Sequence, residues 1–248
     1  MADPIPLAWL PDVRMDRVHL HWTAGTHTPN AVDKKHYHFI YAGDGKRVRG
    51  NRSIADNVPP LKAYAAHTRG ANSYAIGLSV ACMGGPDVRE KPFVAGKWPM
   101  TRTQFEEMCR DAAQICKRYG IPVAPKTVLW HAEVQGTLGI AQAGKWDATV
   151  LAFDSSKKGA KAVGDYTRSV VQAFMEGKRP VAPTPEPIAL PRVPREPVEQ
   201  WPESETAGPP SRPWRGVWWL VGGFLVAAAL IGAAVYFDLI PSINWFQP

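Results

Sequence analysis

Val18-His19-Leu20-His21-Trp22-Thr23-Ala24-Gly25 is the stretch from which the rest of the chain is read. From Arg17 to Trp22 the residues alternate enough to form a strand, with His19 and His21 on one face, and the strand ends in a turn of small residues. Taken alone, either histidine reads more readily as a satisfied core or edge residue than as a ligand. Two later segments change that balance. They are Trp130-His131-Ala132-Glu133 and Gly144-Lys145-Trp146-Asp147. Together the three supply His21, His131 and Asp147, and two imidazoles with one carboxylate leave open the fourth position of a tetrahedral zinc, as catalytic rather than structural sites do.

Working outward, the residues before Arg17 read as a strap with two Pro-containing turns. After Gly25 the Thr/His/Pro/Asn-rich segment reads as a loop. His36 to Tyr41, the Gly43-Asp44-Gly45 turn and Lys46 to Arg49 then form a hairpin, with His36 and His38 on one face of its first strand and Tyr37 and Phe39 on the other. Tyr74 to Met83 is an apolar run suited to a central strand buried on both faces, and Gly84-Gly85-Pro86 ends it. From Thr101 to Tyr119 apolar residues recur at helical spacing, Thr101 and Gln104 make a capping box and Gly120 stops the helix. Thr127 to Trp130 is a short strand ending at His131. A Gly/Ala/Gln loop follows as far as Lys145 and Asp147, and a last helix spans Lys157 to Glu176. This order predicts an α/β fold, a mixed central sheet flanked by helices.

The chain has 248 residues, 24 of them proline, and the prolines crowd between Lys178 and Arg215. The segment before them has the length and composition of one globular domain. A net charge of +7 favours anionic partners, whether lipid, nucleic acid or a cell-wall polymer, without choosing among them. Cys82, Cys109 and Cys116 have no metal-type spacing and imply no disulfide framework; Cys109 and Cys116 lie on the buried face of the predicted helix. The first thirty residues show no secretory signal.

The first roughly 155 positions resemble the zinc-dependent N-acetylmuramoyl-L-alanine amidases, a family that includes small phage endolysins and the peptidoglycan recognition proteins. The matches are His21-Trp22-Thr23-Ala24-Gly25, Tyr37-His38-Phe39-Ile40 before Asp44-Gly45, His67 to Ser73 before Ile76-Gly77, His131-Ala132-Glu133-Val134, and Lys145-Trp146-Asp147, five short motifs in the family's order. The resemblance implies one zinc ion held by His21, His131 and Asp147, with Tyr37 and Lys145 as catalytic side chains. The reaction it implies is hydrolysis of the amide between N-acetylmuramic acid and the L-alanine of the stem peptide, with a water activated by zinc as nucleophile. Peptidoglycan is then the expected partner, and nucleic acid is not. By the same carry-over His67, Arg69 and Asn72 line the substrate cleft, with loop ordering as the alternative. Glu133 is either a base acting behind the ligands or a cap on the following turn. Many relatives place a helix between the positions of Gly25 and Tyr37; here that segment reads as a short loop, so one wall of the cleft is expected to be absent or built from elsewhere.

The predicted organisation is an amidase domain over 1–178, a Pro-rich linker over 179–215, a transmembrane helix over 216–238 and a short tail over 239–248. At ~3.1 Å per residue the linker could stretch to about 100 Å. Val217 to Phe237 carries no charge and no proline, about the length that crosses a bilayer as a helix, with Trp218, Trp219, Tyr236 and Phe237 at its ends. Arg212 and Arg215 precede it and no Lys or Arg follows, which predicts a single-pass inner-membrane protein with its enzyme domain in the cytoplasm. That places the domain away from its substrate, as expected of a phage-type lytic enzyme stored until a partner such as a holin breaches the membrane. The alternative is a membrane-anchored module that binds peptidoglycan without cleaving it.

Overall fold

The structure, a computed structural model, describes residues 3–178. The predicted linker, transmembrane helix and tail lie outside the described residues, and among the described residues no helix is long and apolar enough to cross a membrane.

A five-stranded sheet organises these residues. Its strands are β1 (Arg17–Trp22), β2 (Phe39–Tyr41), β3 (Arg47–Arg49), β4 (Ala75–Val80) and β5 (Val128–Trp130), in the spatial order β3-β2-β4-β1-β5. All neighbours are parallel except β2 and β3, which form the antiparallel hairpin predicted around Gly43-Asp44-Gly45. The sheet is therefore mixed, as expected, and β4 is buried along its whole length.

The helices are α1 (Ala31–His36), α2 (Arg102–Tyr119), α3 (His131–Leu138) and α4 (Ala160–Met175), and a small second sheet pairs β6 (Val150–Leu151) with β7 (Asp154–Lys158). The helix α2 has the predicted ends. Thr101 Oγ1 accepts from the Gln104 amide, the Gln104 side chain accepts from the Thr101 amide, and Gly120 closes the helix in the left-handed region at φ 66°.

Alternation along the strands divides the labour between the two faces of the sheet. Val18, Leu20 and Trp22 of β1 form one core with Ile76, Leu78 and Val80 of β4, Phe39 and Tyr41 of β2, and Val128 and Trp130 of β5. Phe105, Met108, Cys109 and Ala112 of α2 and Val163, Val170 and Val171 of α4 complete it. Polar ties lock the layers: the Tyr41 hydroxyl donates to Asp111 Oδ2 on α2 at 2.7 Å, and Trp130 Nε1 donates to Thr167 Oγ1 on α4 at 2.8 Å.

The opposite face carries His19 and His21 of β1, in register with Gly77 and Ser79 of β4. Here glycine is needed for space. A methyl group on Gly77 would lie 2.5 Å from the ring carbons of His67, which rests against the strand. Gly77→Ala is expected to destabilise the domain by about 1–3 kcal/mol through overpacking. The urea midpoint of the full-length chain measures this, and an unchanged midpoint would mean that the ring has room to withdraw.

Four sequence expectations are corrected. The segment after Gly25 is not all loop, because α1 occupies Ala31–His36; Asn30 Oδ1 accepts from the amides of Val32 and Asp33, and Asp33 returns a bond to the Asn30 amide. That capping box starts a helix too short to show a period, and it supplies the helix expected to be absent. His36 accordingly ends α1 instead of sharing a strand face with His38, and β2 begins only at Phe39. From His131 onward the chain is helical for eight residues, and Lys157 and Lys158 belong to β7, so the last helix starts at Ala160.

Candidate active site

β1 and β5 are adjacent parallel strands ending at Trp22 and Trp130, which brings His21 and His131 together at the carboxyl edge of the sheet. Such an edge is where open α/β sheets form ligand crevices. Asp147 arrives from the segment after α3. The Ala132 amide in the first turn of α3 donates to the Asp147 carbonyl oxygen at 2.7 Å, and Trp146 packs edge-on against Trp22 with ring centroids 4.7 Å apart. The aspartate is thereby docked by its own backbone and by the aromatic residue beside it.

His21 Nδ1 lies 3.1 Å from His131 Nδ1 and 3.2 Å from Asp147 Oδ2, and His131 Nδ1 lies 3.4 Å from the same oxygen. Donors bound to a tetrahedral zinc at about 2.0–2.2 Å sit about 3.3–3.5 Å apart. The three atoms thus lie within about 0.2 Å of the spacing of one face of such a tetrahedron, with its fourth vertex unassigned to any of them. All three side chains are buried.

The electrostatics suit a cation. Burial pulls His21 down to about 4, so its imidazole is neutral at physiological pH and offers a lone pair. Burial alone would raise Asp147, but the imidazoles of His131 and His21 beside it outweigh it and hold the carboxyl below its usual range. One carboxylate beside two imidazoles is a donor set that zinc accepts, and the residues fit the ion that the sequence implies.

Tyr37 follows α1 directly, and its ring centroid lies 5.3 Å from that of His21. Burial and the charge of Asp147 push its phenol up, so it remains a neutral O–H donor. Lys145 is exposed, two residues before Asp147, and close enough for its charge to act on His21.

The other predicted residues divide. Asn72 Oδ1 accepts from the amides of His67 at 3.0 Å and Thr68 at 2.8 Å, while the His67 ring contacts Thr68 Oγ1 at 2.9 Å and the Ala75 carbonyl at 3.3 Å. Both buried side chains order the 67–72 loop. Arg69 is exposed on that loop. Glu133 is committed elsewhere: its carboxylate accepts from the Trp130 amide at 2.9 Å, capping α3, and pairs with Arg168 of α4 at 3.0 and 3.1 Å.

Two residues that the sequence did not single out touch the triad. Thr68 Oγ1 lies 3.2 Å from His21 Nε2, and Gln142 Oε1 lies 2.8 Å from His131 Nε2. Neither belongs to a metal-ligand residue type, and Gln142 sits in a run of Gly and Ala, so only the folded geometry reveals them.

The profile of the family described as N-acetylmuramoyl-L-alanine amidase matches residues 11–149. No curated protein sequence matches the chain. Among solved structures, the endolysin N-acetylmuramoyl-L-alanine amidase LysCS from Clostridium intestinale is 16% identical with a TM-score of 0.32, covering 52% of this chain and 86% of that one. The Ph2119 endolysin from a Thermus scotoductus bacteriophage is 16% identical with a TM-score of 0.34, covering 51% of this chain and 77% of that one. The amidase AmiD from E. coli, solved with an anhydro-N-acetylmuramic acid peptide, is 20% identical with a TM-score of 0.34, covering 48% of this chain and 49% of that one.

Proposed function

We propose, on the premise that this chain belongs to the N-acetylmuramoyl-L-alanine amidase family, that it cleaves the amide joining N-acetylmuramic acid to the L-alanine of the stem peptide. The observation that carries this is the buried convergence of His21, His131 and Asp147 on one point, close to the spacing of a tetrahedral metal's ligands. Bound there, zinc supplies a Lewis acid that polarises the scissile carbonyl and acidifies a water.

The chain's own side chains do the rest. The Tyr37 phenol, kept protonated beside the triad, donates a hydrogen bond to the oxygen on which negative charge develops. Lys145, at the exposed end of the same segment as Asp147, brings a positive charge to that oxygen and to the departing amine. Arg69 stands ready at the rim for a carboxylate of the peptide. Such a donor acts mainly in the transition state, so Lys145→Met is expected to lower kcat by about 10²–10³ with little change in KM. Steady-state kinetics on a soluble muropeptide measure the split, and a rise in KM alone would assign Lys145 to binding instead.

The whole reading is tested by digesting purified peptidoglycan with the full-length chain. Free stem peptides bearing an L-alanine amino terminus support it. New reducing sugar ends, or cleavage inside the peptide, contradict it. Recognition without cleavage would indicate a binding module, a reading that the complete triad does not favour.

The biological setting follows from the sequence outside the described residues. The uncharged run over 217–237, with Arg212 and Arg215 before it, supports a single-pass inner-membrane anchor, and the Pro-rich stretch before it supports a tether. On this reading the protein is a phage-type endolysin held on the cytoplasmic side until a holin opens the membrane. Protease added outside intact spheroplasts is expected to leave the domain whole; digestion before lysis would overturn the stored-inside arrangement.

A further inference from the structure

The two imidazole ligands each turn their second ring nitrogen to a buried partner, and the bonding of those partners decides where the ring protons sit. Gln142 Nε2 donates to the carbonyl oxygens of Arg69 at 2.9 Å and Ile140 at 3.2 Å. With both N–H groups so used, its amide presents only an oxygen to His131 Nε2, 2.8 Å away. That oxygen can only accept, so His131 carries its proton on Nε2 and offers Nδ1 as a lone pair to the triad.

Thr68 does the same for His21 by a longer route. Its hydroxyl touches His19 Nδ1 at 2.9 Å, His67 Nδ1 at 2.9 Å and His21 Nε2 at 3.2 Å, and it has one proton to give and two positions at which to accept. His67 Nε2 faces the Ala75 carbonyl, which only accepts, so the His67 proton is on Nε2 and its Nδ1 takes the hydroxyl proton. The hydroxyl must then accept from the other two rings. His21 therefore carries its proton on Nε2 and its lone pair on Nδ1, toward His131 and Asp147. The same assignment puts the His19 proton on Nδ1 and leaves Nε2 a bare lone pair, and that nitrogen is buried without a hydrogen-bond partner. An orphaned acceptor is tolerated more readily than an orphaned N–H, so the bonds around the Thr68 hydroxyl are mutually consistent.

We propose that Thr68 and Gln142 are positioning residues for the metal: each locks one ligand histidine in the tautomer whose Nδ1 faces the ion, before the ion binds. This rests on the metal site assigned under the proposed function and adds a cause for its readiness. It also ties the site to the cleft rim, because Gln142 grips the backbone of Arg69 and Thr68 is its chain neighbour. The loops nearest the substrate are thus the loops that set the ligands.

The test uses the full-length chain labelled with ¹⁵N at histidine and freed of metal by a chelator at pH 8. Long-range ¹H–¹⁵N correlation reads which ring nitrogen bears the proton, and zinc affinity is then measured by competition with a chromophoric chelator. Gln142→Met and Gln142→Glu both lose the two N–H donors, but only methionine loses the acceptor facing His131. The methionine variant is expected to show a mixed His131 tautomer and about 10–100-fold weaker zinc binding, whereas the glutamate variant keeps the Nε2–H form and most of the affinity. Thr68→Val and Thr68→Ser repeat the comparison for His21, with loss on valine and rescue on serine, and decide the matter should Gln142→Met not fold.

Unchanged tautomers and affinity in the methionine and valine variants would overturn the proposal. So would equal losses with methionine and glutamate, which would reduce Gln142 to a tether between loops. Failure of the metal reading shows separately, as a parent chain that binds no zinc while its histidine tautomers are still resolved.

Discussion

Asp147→Ala is expected to strip the chain of zinc and to lower kcat/KM on peptidoglycan fragments by at least about a thousandfold. Lewis-acid stabilisation of the developing oxyanion is worth several kcal/mol, and each 1.36 kcal/mol is a factor of ten, so about 4 kcal/mol gives three powers of ten. Asp147 supplies the only formal negative charge of the triad, and its removal leaves two imidazoles facing each other at 3.1 Å. The fold itself should persist, since Asp147 is docked through its carbonyl oxygen to Ala132 and through Trp146 to Trp22, none of which involves its side chain. Asp147→Asn separates charge from shape: it retains one carbonyl oxygen as a weaker donor and is expected to bind zinc less tightly than the parent but more tightly than the alanine variant. Bound zinc per chain and initial rates check this, and an active, zinc-loaded Asp147→Ala would remove Asp147 from the site.

The metal-free chain is expected to lose stability steeply on acidification. His19, His21, His38 and His67 are buried within one layer on one face of the sheet. Burial holds His21 and His38 at about 4, and His19 and His67 well below their ordinary value. In the unfolded chain each takes up a proton near pH 6.5, and in the fold it does not, so these groups leave stability unchanged above pH 7 and withdraw it as pH falls from 6.5 toward 4. Between pH 7 and 5.5 each contributes a loss of about 1 kcal/mol, so the four together withdraw several kcal/mol, a large share of the stability of a marginal domain. Asp33, Asp111 and Glu133, raised by burial, bind protons earlier in the fold than in the unfolded chain and offset part of this. Urea unfolding in chelator at successive pH values measures the slope. A midpoint unchanged between pH 7 and 5.5 would mean that these imidazoles are charged or solvated in the fold.

The parts of the fold that were legible in the sequence are those fixed by local pattern. Arg17–Trp22 has the bounds read from its alternation, and the α2 helix has both its Thr101–Gln104 box and its Gly120 stop. His21, His131 and Asp147 converge as the three motifs implied. The elements that were missed lack such a pattern. Six residues of α1 rest on one capping box, and α3 begins at the residue after a strand, carries Gly136 inside it and is capped by Glu133 from within its own first turn. β6 has only two residues, and β7 reads Asp-Ser-Ser-Lys-Lys, a composition of turns. At the site, the role of Thr68 depends on two histidines of β1 and its own neighbour His67 meeting one hydroxyl, and that of Gln142 on an amide whose other bonds are already used. These are facts of strand register and loop closure, which residue type and spacing do not encode.

The most direct test of the central claim is reconstitution of the metal-free, full-length chain with increasing zinc, reading the release of L-alanine amino termini from purified peptidoglycan alongside His21→Ala and His131→Ala. The account predicts no release without metal, a linear rise that breaks at one zinc per chain, and neither tight zinc binding nor release in either variant. Full activity in the chelated chain, or zinc-dependent release that survives loss of His21 or His131, would contradict it.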